Sequence, residues 1–286
     1  MPTLDTTSTP KLPPELERHI FELSARAYRS SVPAYLRVAH RVHVWIEPLL
    51  YNVLVVDHST EVPDSSCPTP AESRDCAFLA SHVRHLSIGV VSPSSSGNDR
   101  LHALLNACKN TQDLALWAPF PSPALLPLLH AMPLARLAAD VTRLFGGPLR
   151  VNLAHPAFAA LTHLDVLAAG FDDWRLWAGL AHMPRLSHLA FRDRLLPRVL
   201  RGALAHCARL RALGVIWSAR RRAVDVREGE IVDVRLFMAI CADRVEEWET
   251  AAWGGRDIWT RAEEFIAEKE AGKIKGRTIA LALPFS

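Results

Sequence analysis

The candidate reactive side chains of this chain are His163, Asp165, His188 and Arg192. Two imidazoles and a carboxylate are the raw material of a metal centre or of proton transfer, and a guanidinium beside them suits an acidic partner. A metal centre needs a further ligand at workable spacing, and none is evident beyond Asp165, so no metal is expected. Covalent catalysis needs a nucleophile frame, and no G-x-S-x-G, P-loop or G-x-G-x-x-G occurs. The doublets Asp172-Asp173, Glu246-Glu247 and Glu263-Glu264 put adjacent carboxylates on different faces, so none pairs as acid and base. The expectation is a chain that is not an enzyme and carries no cofactor. Its four polar residues, with Trp117, form a patch that recognises another protein.

That patch depends on the elements that place it. Leu180-Ala-His-Met-Pro-Arg-Leu186-Ser-His-Leu189-Ala-Phe191 aligns without a gap on Leu204-Ala-His-Cys-Ala-Arg-Leu210-Arg-Ala-Leu213-Gly-Val215. The shared frame, L-x-x-L-x-apolar, recurs around Leu86, Leu114, Leu137 and Leu164, and in degenerate form at Val245/Trp248. Most steps between central positions fall within the 20–29 residues of leucine-rich repeats. The last two apolar positions of each frame are two apart, which points them to one face of a short strand and their neighbours to the other. The amphipathic runs 99–107, 123–130, 174–182, 195–206 and 231–242 read as helices between strands. The predicted architecture is an α/β repeat, an irregular leucine-rich-repeat-like solenoid over residues 52–253. One exposed, polar column of its sheet would read His85, Asp113, Arg136, His163, His188, Ala212, Glu247. The next would read Ser87, Ala115, Ala138, Asp165, Ala190, Gly214, Glu249, with Ala190 and Gly214 leaving room for a ligand side chain. Phe158, Met183, Cys108 and Cys207 share one slot ahead of the strands, which reads as a buried hydrophobe.

With 286 residues, 49% of them hydrophobic, the chain can bury a sizeable core without metal or disulfide staples. Its net charge of +3 gives no electrostatic reason to expect nucleic acid, and Arg220-Arg-Arg222 is too short a run to change that. Five cysteines without a C-x-x-C pair indicate neither a disulfide framework nor a zinc module. Residues 1–10 read as a disordered start without a secretory signal. Leu114 to Ala135 holds no charge, but its five prolines exclude a membrane span and leave a loop with a short helix near 123–132. A cytoplasmic or nuclear protein follows, with no membrane partner. Residues 59–75 and 92–98 read as Ser- and Pro-rich loops.

Residues 11–51 lie outside the repeat. Leu12, Leu16, Ile20 and Leu23 make one helical stripe, widened by Phe21. A second helix carries Leu36, Val38, Val42, Trp45 and Ile46 to a stop at Pro48, and Val53 to Val56 reads as a first strand. L-P-P-E-L-x-x-x-I-F-x-L followed by R-V-x-x-W-x-x-P-L-L-Y resembles an F-box, in particular the F-box-like proteins of mushroom-forming fungi. The resemblance covers 11–56, and such modules are commonly paired with leucine-rich repeats. It implies a substrate receptor of a cullin–RING ubiquitin ligase. A Skp-type adaptor would dock on Leu12, Pro13, Leu16, Ile20, Phe21, Leu36, Val38 and Trp45. The target would lie on Trp117, His163, Asp165, His188 and Arg192. By periodicity alone the same stripe could be the inward face of a cap on the repeats, in a scaffold with no ligase association. Residues 254–286 read as a helix, apolar at Ile258, Ala262, Phe265 and Ile266, that caps the last repeat, with a terminal strand near 278–283.

Overall fold

The leucine frame forms a stack. A computed structural model describes residues 12–56, 74–89, 95–117, 122–168, 170–218, 231–274 and 280–281, with the side chains of 95–98 and 280–281 outside it. Residues 1–10, most of the Ser- and Pro-rich loops and Arg220–Arg222 lie outside the described residues. The chain divides into two units between Val53 and Leu54.

The first unit contains α1 (Pro14–Ala27), a 3-10 turn at Arg29–Ser31, α2 (Val32–Tyr35) and α3 (His40–Asn52). Pro13 precedes α1 and Pro14 opens it, where a missing N–H costs nothing. Its core gathers Ala25, Val32, Val42 and Ile46, with Phe21, Leu36, Trp45 and Leu49 packed against them. Two expectations are corrected here. The second helix breaks at Leu36–Ala39, so 32–52 is a short helix and a longer one. Pro48 does not stop the longer one, which runs on to Asn52 because Leu49 packs into the core. The stripe Leu12, Leu16, Ile20 and Leu23 does not face inward. These side chains are 46–53% exposed, because the core uses Phe21 and Ala25 on the other flank of α1.

The second unit alternates β1 (Val53–Val56), α4 (Cys76–His82), β2 (His85–Ile88), α5 (Ser95–Ala107), β3 (Asp113–Leu116) and α6 (Leu126–Ala131). It continues with β4 (Arg136–Ala139), α7 (Val141–Leu144), β5 (His163–Val166), α8 (Trp174–Trp177), β6 (His188–Arg192) and α9 (Pro197–His206). It ends with β7 (Ala212–Ser218), β8 (Leu236–Cys241), α10 (Arg244–Ala252), α11 (Ile258–Glu270) and β9 (Ala280–Leu281). Among the described residues the strands make one sheet in chain order, parallel from β2 to β9. Helical α5 begins at Ser95, inside the stretch expected to be loop.

Leu86, Leu114, Leu137, Leu164, Leu189, Leu213 and Leu236 pair in direct register and are all buried. One hydrogen-bond device sets this register. The carbonyl of the residue just ahead of each of β2 to β6 accepts two N–H groups from the next unit. Arg84 receives Gln112 and Asp113, Gln112 receives Ala135 and Arg136, and Ala135 receives Thr162 and His163. Thr162 receives Ser187 and His188, and Ser187 receives Arg211 and Ala212. Phe158, Met183, Cys108 and Cys207 are all buried as the shared slot predicts, and burial pushes the Cys108 thiol up to about 12 and Cys207 to about 11.

The last repeat differs from its sequence reading. The run Leu236-Phe-Met-Ala-Ile-Cys241, expected within a helix, is strand β8, and the frame passes to Leu236 instead of Trp248. The strand is buried almost throughout, so its residues are apolar on both faces and lack the alternation that marks a half-exposed strand. Val245, Glu247, Trp248 and Glu249 belong to α10, which starts where the Asp243 carboxylate accepts the N–H groups of Val245 and Glu246.

Candidate functional site

The side chains that alternate with the leucines point to the opposite sheet face, and α10 and α11 lie across it. The helix expected to cover the last repeat, α11, does pack on β8, and together with α10 it extends over the sheet face. Ile258, Ala262, Phe265 and Ile266, the predicted apolar side of α11, pack on Ala190, Ala212, Ile216, Phe237 and Ala239. The room expected at Gly214 is filled by Phe237, whose ring atom stands 2.4 Å from where a Cβ would be. Ala190 lies in the same cluster.

Toward β3 to β6 the contacts become polar. The Trp248 indole N–H donates to Asp113 Oδ1 at 3.0 Å. Arg136 donates to Asp257 Oδ2 at 3.0 Å, while Asp257 Oδ1 accepts the backbone N–H and hydroxyl of Thr260 and so caps α11. Burial alone would raise the Asp257 pKa, yet the Thr260 bonds and Arg136 hold it below the usual range. Glu247 on α10 pairs with Arg261 on α11, and burial still raises its pKa. The doublet Glu263-Glu264 splits as expected. Glu263 lies 3.1 Å from His188 Nε2 and 3.0 Å from Arg211, whereas Glu264 pairs with exposed Arg256.

The five residues assigned to target binding do come together, but not on an open surface. His163 and His188, paired in register, stack at 4.1 Å with 7° between their planes, and the edge of Trp259 meets both. The Thr162 hydroxyl donates to the Ala135 carbonyl and its oxygen lies 2.8 Å from His163 Nδ1; Ser187 repeats the arrangement at His188. Burial, then the neighbouring His188, Arg136 and Arg211, press His163 down to about 3, and burial also lowers His188. Arg192 bonds Asp165 Oδ2 through two nitrogens at 2.7 and 2.8 Å and lies over Trp117, whose indole N–H donates to Ser87. Burial works against the Arg192 charge, but Asp165 outweighs it and raises the pKa. Asp165 is 8% and His188 4% exposed, so the face expected to be solvated is closed.

Between this face and the two helices remains a partly open cavity of about 50 Å³, lined by Trp117, Trp248, Trp259, Asp113, Asp165 and Glu247 among others. Asp257 and Trp259 were not singled out from the sequence, and Trp248 and Glu263 were read only as a degenerate repeat position and as half of a carboxylate doublet. The available signal was a tryptophan on the charged side of a helix, Trp259 four residues before Glu263. Among the described residues no three His, Cys, Asp or Glu side chains converge as metal ligands, and no helix is long and apolar enough to cross a membrane.

In the first unit, Leu12, Pro13, Leu16, Ile20 and Val38 are exposed, whereas Phe21, Leu36 and Trp45 are half-buried against that unit's own core. The adaptor residues named from the sequence are thus split between a surface and the packing beneath it. No family model matches this chain, and neither a curated protein nor a solved structure matches it.

Proposed function

We propose that this chain is an F-box-like substrate receptor of a cullin–RING ubiquitin ligase. Its helical first unit docks a Skp-type adaptor, and its second unit, an irregular leucine-rich-repeat-like solenoid, receives a target protein. The observation that carries the adaptor half is the exposure of Leu16 at 53% and Ile20 at 50% on α1. A small helical unit that leaves one aliphatic stripe in water has a partner to cover it. Leu12 and Val38 extend the apolar surface, and Phe21, Leu36 and Trp45 support it from beneath. The repeated carbonyl bonds and the leucine column support the solenoid reading. Co-purification with a Skp-type adaptor tests the reading: wild type should retain the adaptor and Leu16→Asp/Ile20→Asp should lose it. No retention by folded wild type removes the ligase assignment.

A second reading, a non-catalytic interaction scaffold without ligase association, is favoured by the burial of Asp165 and His188 under the chain's own helices. It expects both proteins to ignore the adaptor.

A further inference from the structure

We propose that α1 pairs antiparallel with α1 of a second copy of this chain, through the stripe of Leu16, Ile20 and Leu23 and a reciprocal ion pair of Glu15 with Arg26. Charge accounting around the stripe leads there. Glu17 bonds Arg41 of α3 and Arg18 bonds Glu22, so these four charges are answered within the unit. Glu15 and Arg26 are exposed, and among the described residues neither makes an ion pair.

The placement of this pair is self-complementary. Glu15 and Arg26 are separated by about three helical turns, so both lie on one flank of the stripe, about 16 Å apart along the axis. The macrodipole of α1 accounts for an acidic first turn and a basic last turn, but not for a shared flank. A second α1 laid antiparallel, with the two-fold axis beside Ile20, sets each Glu15 against the other copy's Arg26 and brings each Leu16 beside the other copy's Leu23. A parallel pair would set Glu15 against Glu15. The stripe is free for this contact: Leu16 is 53%, Ile20 50% and Leu23 53% exposed, while Phe21 and Ala25 hold α1 to its own unit from the inward side.

One 14-residue helix per partner is a small contact, below the about 1,600 Å² of a standard interface, so the pair is a reversible one. The stripe is also the one the adaptor reading uses, and a second copy therefore competes with the adaptor for it. The competition rests on that reading; self-pairing does not.

The test measures the mass of the full chain by sedimentation equilibrium across a range of concentrations. Wild type should pass reversibly from monomer to dimer, and Leu16→Asp/Ile20→Asp should stay monomeric. Glu15→Arg and Arg26→Glu each set like charges together twice, and each should weaken pairing at least about fivefold. An equimolar mixture of these two variants restores both ion pairs and should associate about as tightly as wild type. Wild type that is monomeric at every concentration, association unchanged in Leu16→Asp/Ile20→Asp, or a mixture no tighter than its components overturns the proposal. Adding a Skp-type adaptor should convert the dimer into a complex of one chain with one adaptor. A chain that retains the adaptor yet never dimerises sinks the pairing alone, and a dimer that ignores the adaptor sinks the ligase reading alone.

Discussion

One pair of helices covers two unlike surfaces. Over β6 to β8, Ile258, Ala262, Phe265 and Ile266 meet Ile216, Phe237 and small residues of the sheet, with Phe237 occupying the space above Gly214. Over β3 to β6 the same cover rests on an indole–carboxylate bond, a guanidinium–carboxylate pair and a stacked pair of imidazoles, and it leaves a cavity and an unanswered oxygen. Apolar burial contributes roughly 25 cal/mol per Å² without regard to direction, so the first surface holds the helices on. Buried ion pairs and hydrogen bonds roughly break even against desolvation, and they tell more about which partner sits where than about how firmly. The difference separates what retains the cover from what aligns it.

Four measurements test that division. Phe237→Ala empties the apolar side and should lower unfolding free energy by about 3–5 kcal/mol, read by denaturant titration. Trp248→Phe keeps the ring but leaves Asp113 Oδ1 without its donor, and about 1–3 kcal/mol should be lost; an equal loss in both variants would erase the distinction. Acid should act on the polar side. His163 faces His188, Arg136, Arg211 and Asp257, and it stays neutral in the fold down to about 3. The unfolded chain takes up that proton below its ordinary value near 6.5, so stability should be full above that pH. It should fall toward pH 3 by up to about 1.4 kcal/mol per unit. His163→Gln should flatten that limb of the pH–stability curve. The smallest effect belongs to the first unit, where Leu16→Asp/Ile20→Asp changes exposed positions and should move its melting by less than about 0.5 kcal/mol while removing the adaptor.

The same division marks what the sequence made legible. The leucine column was readable because each L-x-x-L-x-apolar frame is buried on one side only, and Leu164, Leu189 and Leu213 stack as the gap-free alignment requires. Strand β8 was not readable as a strand, because cover on both faces removes the period-two signal from Leu236 to Cys241. The gathering of His163, His188, Asp165 and Arg192 followed from register, since neighbouring strands bring equivalent positions together. Their closure did not. It depends on Trp248, which the repeat frame reads as a strand position, and on Asp257, Trp259 and Glu263, whose spacing carries no signal of a buried partner. In the first unit, helical period located the stripe of α1 but not its direction, because Phe21 and Ala25 supply the inward face instead.

The cover also acts as a gauge of sheet width. Each carbonyl ahead of a strand hands its register to one neighbour only, which by itself would let the row gain or lose a unit anywhere. The helical pair removes that freedom, because it is seated at once on Asp113 of β3, Arg136 of β4, His188 of β6 and Phe237 of β8. Excising a unit between β3 and β8 would leave every remaining strand well paired and the two helices with the wrong span to reach.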